Sequence, residues 1–442
     1  MFLPENIQNC IDSLENAGFA AYAVGGCVRD ACLGLRPHDY DLCTSALPEQ
    51  TMAVFQDHRL VLAGVKHGTV TVLTEGGPVE ITTFRTEGGY RDNRHPDWVK
   101  FVPDIQGDLA RRDFTVNAMA YSPKRGFADP FGGREDLKNH ILRAVGDPNA
   151  RFSEDSLRIL RGARFSARCG LTPEPETLAA MGAQAWRMES LARERVFEEL
   201  CKLLLSVKAE DITRFAFVLA AVIPELGPMI GFDQHSPHHA YDLMTHTAHV
   251  VQEVPAELPL RWAALLHDTG KISTFTRDTT GRGHFYGHAK ESAAIADAVL
   301  RRLKAPTALR EEAVTLIAAH MARLQPERKT LRRQAAKYGF PTVEAMLALQ
   351  QADMRSKGTE EDDAHGTFRA VRQMLEDLKR EDACLSLRDL AVNGNDLMAL
   401  GFQGKEIGTC LSGLLEQVLN ETLPNEREAL LRFAVENRNG KL

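Results

Sequence analysis

The chain has 442 residues, enough for roughly two to four domains of ~100–200 residues each, and its 53 Lys and Arg against 60 Asp and Glu leave a formal net charge of −7. That balance excludes a protein that coats nucleic acid through bulk charge and leaves a local basic groove open. Eight cysteines without a CxxC pair exclude a disulfide framework or zinc ribbon and fit a reducing, cytoplasmic location, while the N-terminus lacks a signal peptide's basic region and no stretch is apolar enough to span a membrane.

Residues 1–145 read as mixed α/β. Short β-rich runs at Ala21–Val24, Asp39–Leu42, Gly68–Leu73, Val79–Phe84 and Val99–Val102 are divided by Gly, Pro and Asn clusters. From about 150 onward helical periods take over, as in Asp155–Ala167 and Arg193–Leu205. The pattern predicts an α+β fold: an N-terminal head with a small mixed β-sheet, then mostly helical regions. A loop rich in His and Pro, Phe232–His239, opens a region with helical runs over Leu260–His267, Ala289–Leu303 and Arg310–His320. The polar stretch Lys357–His365 reads as a linker, and a last helical segment spans about 366–436. The domain division expected from this is 1–145, 146–225, 232–356 and 366–442. Asp389–Leu397 reads as a turn and cap between two helices.

Three motifs in the first half carry chemistry. Gly25-Gly26-Cys27-Val28-Arg29 follows the first apolar run, and Asp39-Tyr40-Asp41 comes soon after. In a strand alternate side chains share a face, so Asp39 and Asp41 are expected to point the same way. Paired carboxylates suit Mg²⁺, the glycines allow backbone to approach phosphate oxygens, and Arg29 can pair with them. Glu80 is either a third carboxylate or a solvent-facing strand residue. The second motif, Asp108–Ala118, sets Arg111, Arg112 and Asp113 before an apolar run ending in Met119-Ala120, as charges fixed at the edge of a buried element. Which arginine points inward is open at this level. In the third, Arg151–Phe165, Ser153-Glu154-Asp155 reads as a helix start, and Asp155 and Arg158 share a helical face. That pair is either a plain ion pair or an acceptor and donor matched to the polar edge of cytosine or adenine. Arg161 and Arg164 continue the stripe, and Leu157, Leu160 and Phe165 are expected to anchor it.

A second constellation comprises His246, the pair His267-Asp268 closing an apolar helix, His288, His320 and Asp353. Imidazole and carboxylate ligands suit several divalent transition metals.

GGCVRD with DYD resembles the signature of the nucleotidyltransferases that build tRNA 3′ ends, a class that includes bacterial poly(A) polymerases. RRDFTVNA and EDSLR extend the resemblance from Gly25 to Arg164. It implies template-independent addition and repair of the terminal CCA of tRNA, from CTP and ATP, by two-metal transfer. Asp39 and Asp41 would be the catalytic carboxylates holding Mg²⁺, and Gly26, Arg29, Arg112, Asp155, Arg158, Arg161 and Arg164 the nucleotide site. Arg112 would reach the phosphates, Asp113 brace the site, and the EDxxR element select the base. The segment Glu87–Pro96 resembles the loop needed to switch from C to A addition, which favours a full CCA-adding activity over a CC-adding or A-adding specialist. A bacterial poly(A) polymerase shares the head, but a long basic tail is missing here. The second constellation resembles the HD phosphohydrolases, implying metal at His246, His267, Asp268 and Asp353 and a cyclic phosphodiesterase, 2′-nucleotidase or phosphatase activity. Rivals from other classes are a metal phosphohydrolase with a nucleotide-sensing N-terminal half and an RNA-binding protein without turnover. For tRNA contact the candidate clusters are Arg328–Arg333 through Lys337, and Arg193, Arg195 and Lys202. With only 7% aromatic residues, a duplex stem fits better than a base-stacking platform.

Overall fold

The computed structural model describes residues 1–37, 39–88, 98–237, 239–358, 366–381 and 384–438. They form two compact units, Met1–Gly227 and Pro228–Leu442, and the break falls between the expected boundaries at 225 and 232.

The first unit opens with the amphipathic helix α1 (Glu5–Asn16), which buries Ile7, Ile11 and Leu14. Its strands include β1 (Ala21–Val24), β2 (Asp41–Thr44), β3 (Arg59–Val61), β4 (Thr69–Thr74), β5 (Gly77–Thr83), β6 (Arg85–Gly88), β7 (Trp98–Phe101), β8 (Ala120–Ser122) and β9 (Gly126–Ala128). Among the described residues seven of them form one sheet in the order β3-β4-β5-β2-β1-β8-β9, while β6 and β7 pair as a separate hairpin. The sheet is mixed, as expected: β2 and β5 run parallel, setting Asp41 beside Glu80, and the other neighbours are antiparallel.

One expectation about strands is corrected. The strand expected at Asp39–Leu42 begins at Asp41, so Asp39 lies in the preceding loop and the alternation argument for the two aspartates does not hold. The reason is the partner strand: Val24, the last residue of β1, already pairs with Asp41, and Gly25 then turns away with φ +78°. The expected β-rich run at Val99–Val102 is a strand, β7 (Trp98–Phe101), paired with β6.

The further helices include α2 (Gly26–Cys32), α3 (Pro48–Val54), α4 (Ile105–Ala110), α5 (Gly133–Lys138), α6 (Pro148–Glu154), α7 (Leu157–Cys169), α8 (Pro175–Gln184) and α9 (Arg193–Leu204). Here the third motif departs from expectation. Asp147 caps α6 with Pro148 in its first turn, so Ser153 and Glu154 close a helix instead of opening one. Asp155 is extended, with φ −140° and ψ 103°, and α7 follows. Leu157, Leu160 and Phe165 are buried as expected, and α7 packs on α9.

In the second unit the helices Leu243–Glu253, Leu258–Leu266, His288–Arg302, Thr307–Ala319 and Phe340–Arg355 pack together, with Trp262 fully buried. A separate core of Leu397, Phe402, Leu414 and Leu430 holds the last helices. Asn393 caps the helix Gly394–Ala399, the role expected of its segment. The basic cluster that starts at Arg328 is largely spent on ion pairs: Arg328 with Glu381 and Glu421, Arg332 with Glu421 at 3.4 Å, and Arg333 with Glu416 at 3.8 Å. These tie the helix Arg328–Tyr338 to the tail. No described helix is long and apolar enough to cross a membrane.

Candidate functional site

In the first unit a cavity of about 420 Å³ gathers Gly26, Arg29, Asp41, Arg112, Asp155, Arg158, Arg161 and Arg164 into one wall, together with Arg111, Asp113, Asn117 and Arg195. Every nucleotide-site residue expected from the sequence is there. Asp39 does not line the cavity, but its charge acts on Asp41.

The turn at Gly25 explains how the wall closes. With φ +78°, and with Arg112 Nη1 2.7 Å from where a Cβ would sit, only glycine fits. Arg29, on the α2 that follows, is buried and bonds Asp30 at 2.5 Å while its Nη1 donates to Asn117 Oδ1 at 2.6 Å. Asn117 Nδ2 in turn donates to Asp113 Oδ1 at 3.0 Å, and Arg161 pairs with Asp113 Oδ2 at 2.6 Å. Burial works against the Asp113 charge, but Arg161 and the Asn117 amide outweigh it and hold the pKa at about 2. From α9, Glu199 meets Arg164 at 2.5 Å. Both arginines of the second motif face the cavity: Arg111 is held by Asp108 at 2.9 Å and Glu87 at 3.3 Å, Arg112 by Asp108 at 3.4 Å.

At the rim, desolvation raises the pKa of Asp41; Arg112 opposes the rise and Asp39 adds to it. Glu80, exposed, is the register partner of Asp41 on the parallel strand. Carboxylates that repel one another at a cleft edge are a donor set suited to a hard divalent cation.

The expected Asp155–Arg158 pair is not formed. Arg158 bonds Glu154 at 2.7 Å and the Arg111 carbonyl at 3.0 Å. Asp155 accepts from the Leu157 N–H at 3.0 Å and pairs with Arg195 at 3.1 Å. The helix break at Asp155 removes the shared helical face, yet both side chains line the same cavity. Arg195, from one of the two candidate RNA-contacting clusters, lines the cavity. Glu199 was missed, although an acid within the buried stripe Val196, Leu200 and Leu203 was its visible signal. In the segment Glu87–Pro96, residues 89–96 lie outside the described residues, and Glu87 and Gly88 end β6.

The second unit brings His246, His267, Asp268 and Asp353 within metal-ligating distance of one another, and Asp268, His288 and His320 likewise. His246 Nε2 lies 3.1 Å from Asp353 and 3.5 Å from Asp268, and His267 Nε2 3.2 Å from Asp268. Each ring is oriented from behind, with Nδ1 of His246, His267, His288 and His320 on the carbonyls of Ser356, Ala264, Phe285 and Ile317 at 2.7 to 3.0 Å. With Nδ1–H donating outward, the Nε2 lone pairs converge on the carboxylates. The Nε2 atoms of His246 and His267 are buried without a hydrogen bond of proper geometry. Lys271 Nζ sits 2.8 Å from Asp268 and donates to Gln234 at 2.9 Å. Burial alone would lower the pKa of His267, but Asp268 and Asp353 raise it to about 10, as expected where two buried carboxylates demand a cation. This donor set fits a divalent transition metal.

Comparison with known proteins bears on the family of the chain. Residues 21–143 match the poly A polymerase head domain, 170–214 a probable RNA and SrmB-binding site of polymerase A, and 284–434 a putative tRNA nucleotidyltransferase domain 2. The CCA-adding enzyme of Latilactobacillus sakei subsp. sakei is 34% identical over 433 residues, 96% of this chain and 96% of that one. The chain belongs to the CCA-adding enzyme family. The CCA-adding enzyme of Limosilactobacillus fermentum is 50% identical over a shorter stretch of 207 residues, 47% of this chain and 51% of that relative. The crystal structure of the Bacillus stearothermophilus CCA-adding enzyme in complex with CTP matches with a TM-score of 0.75 at 27% identity, covering 99% of this chain and 98% of that one. The head-plus-helical architecture of this chain is thus the fold of the CCA-adding enzymes.

Proposed function

We propose that this chain adds and repairs the 3′-terminal CCA of tRNA from CTP and ATP, with side chains selecting the base. The carrying observation is the convergence of Arg29, Arg112, Asp155, Arg158, Arg161 and Arg164 on one cavity with Asp41 at its rim. Arg29, Arg112, Arg161 and Arg164 bind and orient the triphosphate. Asp155 accepts from the exocyclic amine that cytosine and adenine share, and Arg158 donates to the adjoining ring nitrogen; uracil and guanine present the reverse pattern. Mg²⁺ held by Asp39 and Asp41, with Glu80 in reach, would supply the two-metal chemistry that activates the attacking ribose hydroxyl and stabilises the leaving pyrophosphate. The division into a transferase head (1–145), a base-selecting neck (146–225), a hydrolase region (232–356) and an RNA-contacting tail (366–442) is part of the same reading.

The histidine–carboxylate cluster favours a second activity, metal-dependent hydrolysis of phosphate esters at RNA ends. His246, His267, Asp268 and Asp353 would hold one ion, with Asp268, His288 and His320 as a neighbouring set. The ion would supply an activated water or hydroxide.

Incorporation on tRNA transcripts ending before CCA, after C and after CC, with CTP and ATP supplied singly and together, tests the transferase reading. Ordered addition of C, C and A that then stops supports it. Long A tails would point to a poly(A) polymerase, arrest after CC to a specialist, and no incorporation to the hydrolase or binding-protein reading. Alanine at Asp39 and Asp41 should abolish incorporation and spare hydrolysis; loss of both activities would contradict two separate sites.

A further inference from the structure

One aromatic ring stands among the arginines of the cavity. Phe165, on α7, is 4% exposed and lines the cavity wall. The guanidinium carbons of Arg164, Arg29 and Arg161 lie 4.1, 5.0 and 5.2 Å from its ring centroid. Three cations gathered on one point repel one another, and the surroundings answer in a regular way. Each arginine has a close carboxylate: Asp30 for Arg29 at 2.5 Å, Asp113 for Arg161 at 2.6 Å and Glu199 for Arg164 at 2.5 Å, with Glu199 also 4.0 Å from Arg161 and Asp30 also 3.0 Å from Arg168. The ring lies within 5.2 Å of all three guanidinium carbons. Arg161 and Phe165 are four apart on α7 and so occupy one face, whereas Arg29 arrives from α2. The ring therefore fixes the spacing between the two helices' cations as well as within one helix. Its negative π cloud attracts a guanidinium most strongly where water is excluded, and Arg29 is only 2% exposed. An aliphatic side chain of similar bulk fills the space without that attraction.

We infer that Phe165 is a positioning residue for polyphosphate recognition: it holds Arg29, Arg161 and Arg164 at the spacing that grips the triphosphate, independently of which base is attached. The inference rests on the reading of this cavity as the nucleotide site. The ring touches no reacting atom and acts through the three guanidiniums. Base choice belongs to Asp155 and Arg158, so a change at Phe165 moves affinity for CTP and ATP together.

The test uses the full chain with tRNA and Mg²⁺. Phe165→Leu keeps an apolar side chain and removes the π face; pentafluorophenylalanine at position 165 keeps the ring's shape and reverses its quadrupole. Measured quantities are KM for CTP and for ATP, inhibition by inorganic triphosphate, and discrimination of CTP from UTP. Both KM values and the triphosphate inhibition constant should rise together, by about tenfold or more, while discrimination stays put. Arg161→Gln and Arg164→Gln serve as controls. If they weaken triphosphate inhibition and the ring variants do not, the role of Phe165 falls and the nucleotide site stands. If the arginine variants also leave it unchanged, the nucleotide reading fails and takes Phe165 with it. Loss of discrimination in step with KM, or collapse of the fold in both ring variants, would assign the ring to packing alone and overturn the inference.

Discussion

Asp113→Asn removes the charge from a buried acid in the cavity wall while leaving nearly the same shape. Asp113 is 7% exposed, and it accepts bonds from the Phe114 N–H at 2.9 Å, from Asn117 at 3.0 Å and from Arg161 at 2.6 Å. Its pKa of about 2 in the fold compares with 3.8 for the free side chain. The shift is downward, so the stabilisation is complete above the unfolded value and is lost as pH falls through about 4 towards about 2. At 1.36 kcal/mol per unit, the charge contributes about 2.5 kcal/mol at pH 7 and about 1.3 kcal/mol at pH 3. Trp98 and Trp186 lie in the first unit and Trp262 in the second, so a Trp262→Phe background makes tryptophan fluorescence report on the first unit alone. Urea titrations in that background should show Asp113→Asn less stable by about 2–3 kcal/mol at pH 7, with the gap roughly halved at pH 3. A gap that stays constant down to pH 3 would refute the electrostatic account, and one below about 0.5 kcal/mol at pH 7 would refute the magnitude.

Other perturbations test separate parts of the site. Gly25→Ala forces a Cβ into positive φ and against Arg112, and should lower stability by about 1–2 kcal/mol and raise KM for both nucleotides; unchanged melting and kinetics would count against the fit at this turn. Arg195→Met strips Asp155 of its cross-helix partner and should weaken discrimination of CTP from UTP by about tenfold, with Arg195→Lys restoring part of it; full discrimination in both variants would remove Arg195 from base selection. Mn²⁺, Co²⁺ or Ni²⁺ at a hundredfold excess over Kd should stabilise the protein by about 2.7 kcal/mol, read as a rise in Tm, and His267→Ala should abolish that rise. No Tm response to any of these ions would show that the histidine–carboxylate cluster is not a metal site.

The parts of the site carried by short contiguous motifs were legible in the sequence. A glycine turn before Arg29, a charged cluster before an apolar run and a His-Asp pair closing an apolar helix each state their chemistry within a few residues. What the sequence hid depends on frames and partners set elsewhere. The pairing of Asp155 and Arg158 failed because Asp147 and Pro148 start a helix upstream, which moves the break onto Asp155 and shifts the helical phase. The strand boundary at Asp41 is set by the length of β1, which no local pattern announces. The ion pairs of Arg328 were not legible because its acid partners, Glu381 and Glu421, lie 53 and 93 residues away. Arg195 and Glu199 gain their roles only when α9 is laid against α7.

The double duty that the proposed function gives Asp155 has a consequence for anyone seeking to retool this enzyme for other nucleotides. One oxygen of its carboxylate satisfies the first free N–H of α7, at Leu157, and the other faces Arg195 across the cavity. On the proposed reading, specificity and architecture are therefore coded in the same side chain. Glycine or alanine, the usual starting points of a saturation library, discard the cap along with the reader, and for alanine the lost cap costs about 1 kcal/mol. Asparagine keeps the cap while offering a donor where the acid had only acceptors. Variants that change base choice at this position will be found among short polar residues, and a screen that scores activity alone will mistake loose helices for altered preference.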